Sequence, residues 1–129
     1  MSTALTYLAA VALLTALMWV PYILDRILVR GLTGAVGYPD NPHPGSPWAQ
    51  RAKAAHANAV ENLAVFAPLV LVAEMTLAGN AAVATAAQVY LWARALHWVV
   101  YVAKVPWVRT LAFAAGWACT VTVAWQLLV

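Results

Sequence analysis

The sequence predicts an all-α integral membrane protein, a bundle of four spanning helices, and three observations carry that prediction. Of 129 residues, 65% are hydrophobic and only 9% are charged, with a mean hydropathy of +0.79. A soluble domain of this size cannot cover itself with so few charges, so the apolar surplus needs lipid as its solvent. Four apolar segments follow one another, about Thr3 to Leu28, Asn58 to Leu77, Ala81 to Val102 and Val105 to Val129. Each reaches the roughly 20 residues that cross a hydrocarbon core. Finally, the polar side chains inside these segments gather toward one end of the bundle. The chain reads as a single domain, 1–129, without internal repeats.

The first segment opens on Met1-Ser2-Thr3-Ala4 and has no basic n-region, so it is expected to be a retained span and not a signal peptide. Pro21 lies inside it and Pro68 inside the second; in membrane helices both are expected to kink and not to break. Between these spans, residues 31–47 hold Gly31, Gly34, Gly37, Pro39, Pro42, Pro44, Gly45 and Pro47. That density predicts an irregular cap instead of helix. Ser46-Pro47 predicts the next helix start, with serine at the N-cap and proline at the first helical position. The third segment follows a short turn at Ala78-Gly79-Asn80, and the fourth begins at Pro106 after a tight turn at Lys104-Val105.

Charge distribution predicts the topology. Arg26, Arg30, Arg51 and Lys53 flank the first connection, and Arg94, Lys104 and Arg109 lie in or around the third. The second connection and both termini carry no Lys or Arg. The positive-inside rule then places both basic connections in the cytoplasm and both termini on the far side. Trp19, Trp48, Trp107 and Tyr22 are expected in one aromatic belt, Tyr7 and Trp125 in the other. No basic run leaves the membrane, which argues against nucleic-acid binding.

Polar residues within the spans are where function is sought, because a charge at the bilayer centre costs about 2.5 kcal/mol or more. On the second helix, Arg51, Asn58 and Asn62 fall within roughly 40° of one another, with Glu61 about 80° further round. On the third, Arg94, His97, Tyr101 and Lys104 share a face of about 80°, and Tyr90 extends it by a turn. Arg109 lies one turn after Pro106, and Asp25, Arg26 and Arg30 lie at the end of the first span. One reading has these groups satisfy one another, with Glu61 paired to Arg94 or Arg51 and the asparagines bridging helices. The other has several arginines facing a single deep carboxylate, and hence a bound anion. His56 is turned away and is expected to make a helix contact; His43 is expected in solvent. Cys119, the lone cysteine, is expected to pack. The three histidines are not at ligand spacing, so no metal site is expected, and no nucleophile–histidine pair or glycine-rich phosphate loop is present.

The segments Arg51-Ala-Lys-Ala-Ala-His-Ala-Asn-Ala-Val-Glu-Asn-Leu, Ala93-Arg-Ala-Leu-His-Trp-Val-Val-Tyr and Val105-Pro-Trp-Val-Arg-Thr-Leu-Ala-Phe resemble the MAPEG family, the membrane-associated proteins of eicosanoid and glutathione metabolism, most closely its bacterial branch. The resemblance runs over nearly the whole chain and implies a homotrimer with glutathione bound between subunits in the cytoplasmic half of a bacterial inner membrane. Carried over by motif position, Asn58 and Glu61 would hold the γ-glutamyl end, Glu61 taking its ammonium. Arg94, His97 and Tyr101 would line the site and Arg109 would stabilise the thiolate as the catalytic group, while Arg51, one turn before Ala54, would compensate for the arginine that many members carry there. Either Arg26 or Arg30 would complete a carboxylate clamp. Many eukaryotic members carry arginine where this chain has Ala54, and some carry another at Ala57. Three functions therefore stand: a glutathione-dependent transferase or peroxidase acting on lipophilic electrophiles from the bilayer, a non-catalytic membrane binding or scaffold protein, and a small transporter.

Overall fold

The computed structural model describes residues 1–129 and contains only helices: α1 (Thr3–Leu17), α2 (Trp19–Val36), α3 (Pro47–Thr76), α4 (Ala81–Val102) and α5 (Pro106–Leu128). The first two form one rod with a break at Met18, and Pro21 explains its position. Its ring has no N–H and clashes with the carbonyl four residues back, that of Leu17. Met18 N–H accordingly reaches back only three residues, to Thr15 O at 3.3 Å. Thr15 adds to the bend by donating its hydroxyl to Val11 O at 2.8 Å. Pro68, by contrast, lies within an uninterrupted α3.

The connection expected to be irregular from Gly31 begins later. Gly31 adopts φ 71° and ψ 167°, and helical backbone resumes over residues 32–36 before the chain opens at Gly37. Glycine takes this positive-φ, non-helical conformation without a Cβ clash, and it kinks the chain between α2 proper and the short turn that follows. Ser46 and Pro47 stand where the start of α3 was expected, but the Ser46 side chain does not cap the helix. Its Oγ donates to Asp25 Oδ1 at 2.6 Å, and its N–H donates to Asp25 Oδ2 at 2.9 Å. The buried Asp25 thus ties the loop to α2. Asn80 is a working cap for α4, accepting from the N–H groups of Ala82 and Val83 at 2.9 and 3.1 Å. Lys104, at φ 63°, makes the tight turn into Pro106.

Four spans were expected, whereas three helices are long and apolar enough to cross a membrane: the rod Thr3–Val36, α3 and α5. Helix α4 is the exception because Gln88, Arg94 and His97 interrupt its apolar sequence. It is also the helix that touches α1, α3 and α5. Arg94 and His97 are buried among those neighbours, at 2% and 3% exposure. The polarity of Arg94 and His97 is therefore turned into the bundle, whereas Gln88 is exposed.

The two ends of the bundle differ in chemistry. One end packs Leu8 and Val11 of α1, Phe66 and Val70 of α3, Val83 and Tyr90 of α4, and Cys119 and Val123 of α5 into an apolar core. Phe66 and Tyr90 stack there with centroids 3.7 Å apart and planes 5° apart. Toward the other end, Ala49, Ala52, Ala55 and Ala59 of α3 are buried. Small residues at such steps let helix backbones approach closely. Large apolar side chains such as Leu13, Val65, Trp92, Leu111 and Trp117 point outward and are exposed. An apolar exterior around a partly polar interior is what a lipid solvent requires.

Candidate functional site

Below Tyr90 the inward face of α4 turns polar. The guanidinium of Arg94 is carried there on a stem packed against α5, where Gly116 leaves room: a Cβ at that position would meet Arg94 Cδ at 3.4 Å. Arg94 Nη2 donates to Asn58 Oδ1 at 2.6 Å, its one hydrogen bond, while its Nε is buried without a partner. Asn62 holds Asn58 from the next turn of α3, its Nδ2 donating to Asn58 O at 2.8 Å and to Oδ1 at 3.3 Å. The oxygen of Asn58 thus takes two donors, and its own NH2 is left without a protein partner.

One turn further along, a cleft of about 200 Å³ opens between α3, α4 and α5, lined by Asn58, His97, Tyr101, Arg109, Thr110 and Phe113. A second space of about 460 Å³ adjoins it, sharing Tyr101 and Arg109 and adding Arg51 and Lys104. No Asp or Glu lines either space. Arg109 lies over the Tyr101 ring, its Cζ 5.0 Å from the centroid. His97 meets the same ring edge-on at 5.5 Å and lies 6.3 Å from Phe113, and its Nδ1 is buried without a partner. Arg51 donates Nε to Val102 O at 3.0 Å, satisfying one of the free carbonyls at the end of α4. Its terminal amino groups remain for the cleft. Between them the two adjoining spaces are lined by three cations, one imidazole and one phenol, and neither has a carboxylate. Such a space suits an anion and can stabilise a developing negative charge.

The expected residues divide into three groups. Asn58, Arg94, His97, Tyr101, Arg51 and Arg109 come together, six residues from three helices. Glu61 does not join them: it is exposed on α3 and lines neither space. The pairing of Glu61 with Arg94 or Arg51, one of the two readings of the sequence, is therefore not formed; Asn58 takes Arg94 instead. Arg26 and Arg30 lie elsewhere in the chain, in a separate pocket between α2 and α3 with Tyr22, Asp25, Gln50 and Lys53. Among the remaining expectations, His56 makes its helix contact, sharing a 2.8 Å hydrogen bond with Tyr22 OH. That bond also gives Tyr22 an inward role in place of a purely interfacial one. Cys119 is buried in the apolar core, and His43 is exposed.

Sequence reasoning missed Thr110 and Phe113 as walls of the cleft, and Gly116 as the seat of the Arg94 stem. Phe113 was within reach, since it follows Arg109 by four residues and so shares its face. Gly116 carries no signal until the neighbouring helix is in place.

No curated protein sequence matches the chain significantly. A profile of the MAPEG family matches residues 4–129, essentially the whole chain. The chain belongs to the MAPEG family, whose membrane proteins include glutathione transferases and peroxidases as well as non-catalytic members.

Proposed function

We propose that this protein is a glutathione-dependent membrane enzyme of transferase or peroxidase type, acting on lipophilic electrophiles that arrive from the bilayer. One observation carries the reading: of two adjoining spaces that share Tyr101 and Arg109, one is lined by Arg51 and Lys104 and the other by His97, and no carboxylate lines either. Glutathione has two carboxylates, one ammonium and a thiol, and a cationic cleft complements the acid groups. It supplies the nucleophilic sulfur. A free thiol has a pKa of about 8.5, and an adjacent guanidinium raises the thiolate fraction at neutral pH. Arg109, held over Tyr101, is the group for that task. The Asn58 amide and Arg51 would orient the peptide, and His97 and Tyr101 would donate to it. Arg94, committed to Asn58, would act by keeping that amide in place.

Two expected contributions need a second copy of the chain. Glu61 faces outward, and Arg26 and Arg30 line their own pocket, so each would reach the ligand at a boundary between subunits. A homotrimer with the ligand between neighbours supplies that boundary. In this reading 1–129 is one domain with four spans in a bacterial inner membrane, α4 crossing with its polar face shielded. The cleft opens to the cytoplasm and both termini lie opposite. Ala54, where many eukaryotic members have arginine, and Ala57, where some do, favour a second reading: a non-catalytic binding or scaffold protein of the same fold.

Calorimetric titration of the detergent-purified protein separates the two. The enzyme reading expects saturable binding of glutathione and an S-alkyl analogue, but none of a thiol lacking the γ-glutamyl group. It further expects Glu61→Gln to lose binding and Arg109→Ala to bind but not turn over. No binding at millimolar glutathione would overturn it in favour of the scaffold.

A further inference from the structure

The rod made of α1 and α2 is longer than a membrane is thick. Its 34 residues measure about 51 Å along the helix, against about 40–45 Å for a bilayer with its head groups. Counted from Thr3, the roughly 20 residues of a hydrocarbon crossing end near Tyr22. The polar edge of the membrane follows at once. There the buried Asp25 holds Ser46 at the start of α3, and Trp48, two residues on, is exposed. Continued straight, α2 would carry Leu32 and Val36 about 15 and 21 Å past the hydrocarbon, well beyond a head-group layer of roughly 5–8 Å.

The side chains sent that far are apolar. Leu28, Leu32, Val36 and Tyr38 are each at least 66% exposed. Residues 31–38, Gly-Leu-Thr-Gly-Ala-Val-Gly-Tyr, carry no charge. Leu32 and Val36, four residues apart, share a face of the short helical turn. The chain is pinned on either side of this segment: Arg30 Nε donates to His43 O at 2.7 Å, and Asp25 takes Ser46. Between the pins, Leu32, Val36 and Tyr38 are left uncovered by the rest of the chain. Gly31 opens the segment at φ 71° and ψ 167°, a backbone region that essentially only glycine enters. A Cβ at Gly31 would meet nothing within 4 Å, so the backbone and not the space requires glycine there.

We propose that residues 32–38 are a membrane foot. The kink at Gly31 turns the chain back, and Leu32, Val36 and Tyr38 enter the boundary between head groups and acyl chains of the bilayer that the bundle spans. The partner is lipid, and the attraction is burial of apolar surface, with the tyrosine at head-group level. On a straight α2 all three side chains would stay in water; at the boundary they leave it. The foot uses none of the residues assigned to glutathione and stands or falls apart from that reading.

Nitroxide labels placed through Leu32→Cys, Val36→Cys or Asp40→Cys in the full-length protein, reconstituted in phosphatidylcholine vesicles, test the foot. Cys119 is buried, and the unsubstituted protein reports any labelling there. Power saturation compares collisions with oxygen, which concentrates in lipid, and with a nickel chelate confined to water. Relative to position 40, the labels at 32 and 36 should favour oxygen over nickel at least about fivefold. Labels that favour nickel would put the segment in water and overturn the proposal. Labels shielded from both reagents would put it against a second copy of the chain and overturn it equally. Gly31→Ala, which does not readily hold the kink, should move the label at 36 toward the nickel profile while circular dichroism keeps its helical signal. An unchanged profile in that variant would overturn the part given to Gly31.

Discussion

Replacing Asn58 with leucine tests the central polar contact of the bundle. Arg94 is 2% exposed, and its one hydrogen bond is the 2.6 Å contact to Asn58 Oδ1. Leucine fills a similar volume but offers no acceptor, so a buried guanidinium loses its partner. Hydrogen bonds between membrane helices average only about 0.6 kcal/mol, because the separated helices find other partners. Bonds to charged groups are stronger, about 1.5–3 kcal/mol. The charged figure should win here, since the Arg94 stem is wedged beside Gly116 and Tyr90 and cannot swing to water. The expected loss is about 2 kcal/mol, a factor of about 30 in the folding equilibrium. It would be read from SDS-titrated unfolding in mixed micelles, followed by circular dichroism. Asn58→Asp supplies a carboxylate in the same place and should keep most of the stability. Equal stability of Asn58→Leu and wild type would refute the reasoning, because Arg94 would then have an alternative partner that the static contacts omit.

Gly116→Ala should be neutral or stabilising by up to about 1 kcal/mol in the same unfolding assay, since alanine favours helix and its Cβ would make ordinary contacts at 3.4 Å or more. Gly116→Leu should instead displace Arg94 and lower stability; the reverse order would show that α5 does not approach Arg94 as described. Asp25→Ala should release both Ser46 contacts and speed proteolytic cleavage within residues 37–46 while leaving helix content unchanged. Unaltered cleavage kinetics would mean that the loop is held by something other than the Asp25 carboxylate.

Helix existence was legible because it rests on local features. Ser46-Pro47 placed the start of α3 and Lys104-Val105-Pro106 the last turn, whereas Pro21, expected to kink the first span and not to break it, interrupts it at Met18. Where local reading failed, a residue had two possible uses. Ser46 was expected to accept from the first N–H groups of its own helix, but its Oγ is turned to donate to a carboxylate 21 residues earlier in the chain, which its N–H also reaches. Gly31 interrupts the helix as expected, but a further helical turn follows over residues 32–36, where an irregular cap was expected. Half of the polar set was likewise legible, since Arg94, His97 and Tyr101 share a face of one helix by periodicity alone.

The sequence by itself determined the all-helical membrane class, the helix starts, the family and the concentration of polarity at one end. These follow from composition, period and punctuation, which act within one segment. Only the tertiary structure decided that Arg94 meets Asn58 instead of Glu61, that Arg51 closes the end of α4, and that Arg26 and Arg30 form a pocket of their own. It also decided that α4, the long helix left out of the three apolar enough to span, packs against α1, α3 and α5. The physical reason is geometric. Helical periodicity assigns each side chain an angle around its own axis, but partners across a bundle depend on the rotation and axial offset between helices. Those are set by how the buried alanines of α3, Gly116 of α5 and the Phe66–Tyr90 stack pack together.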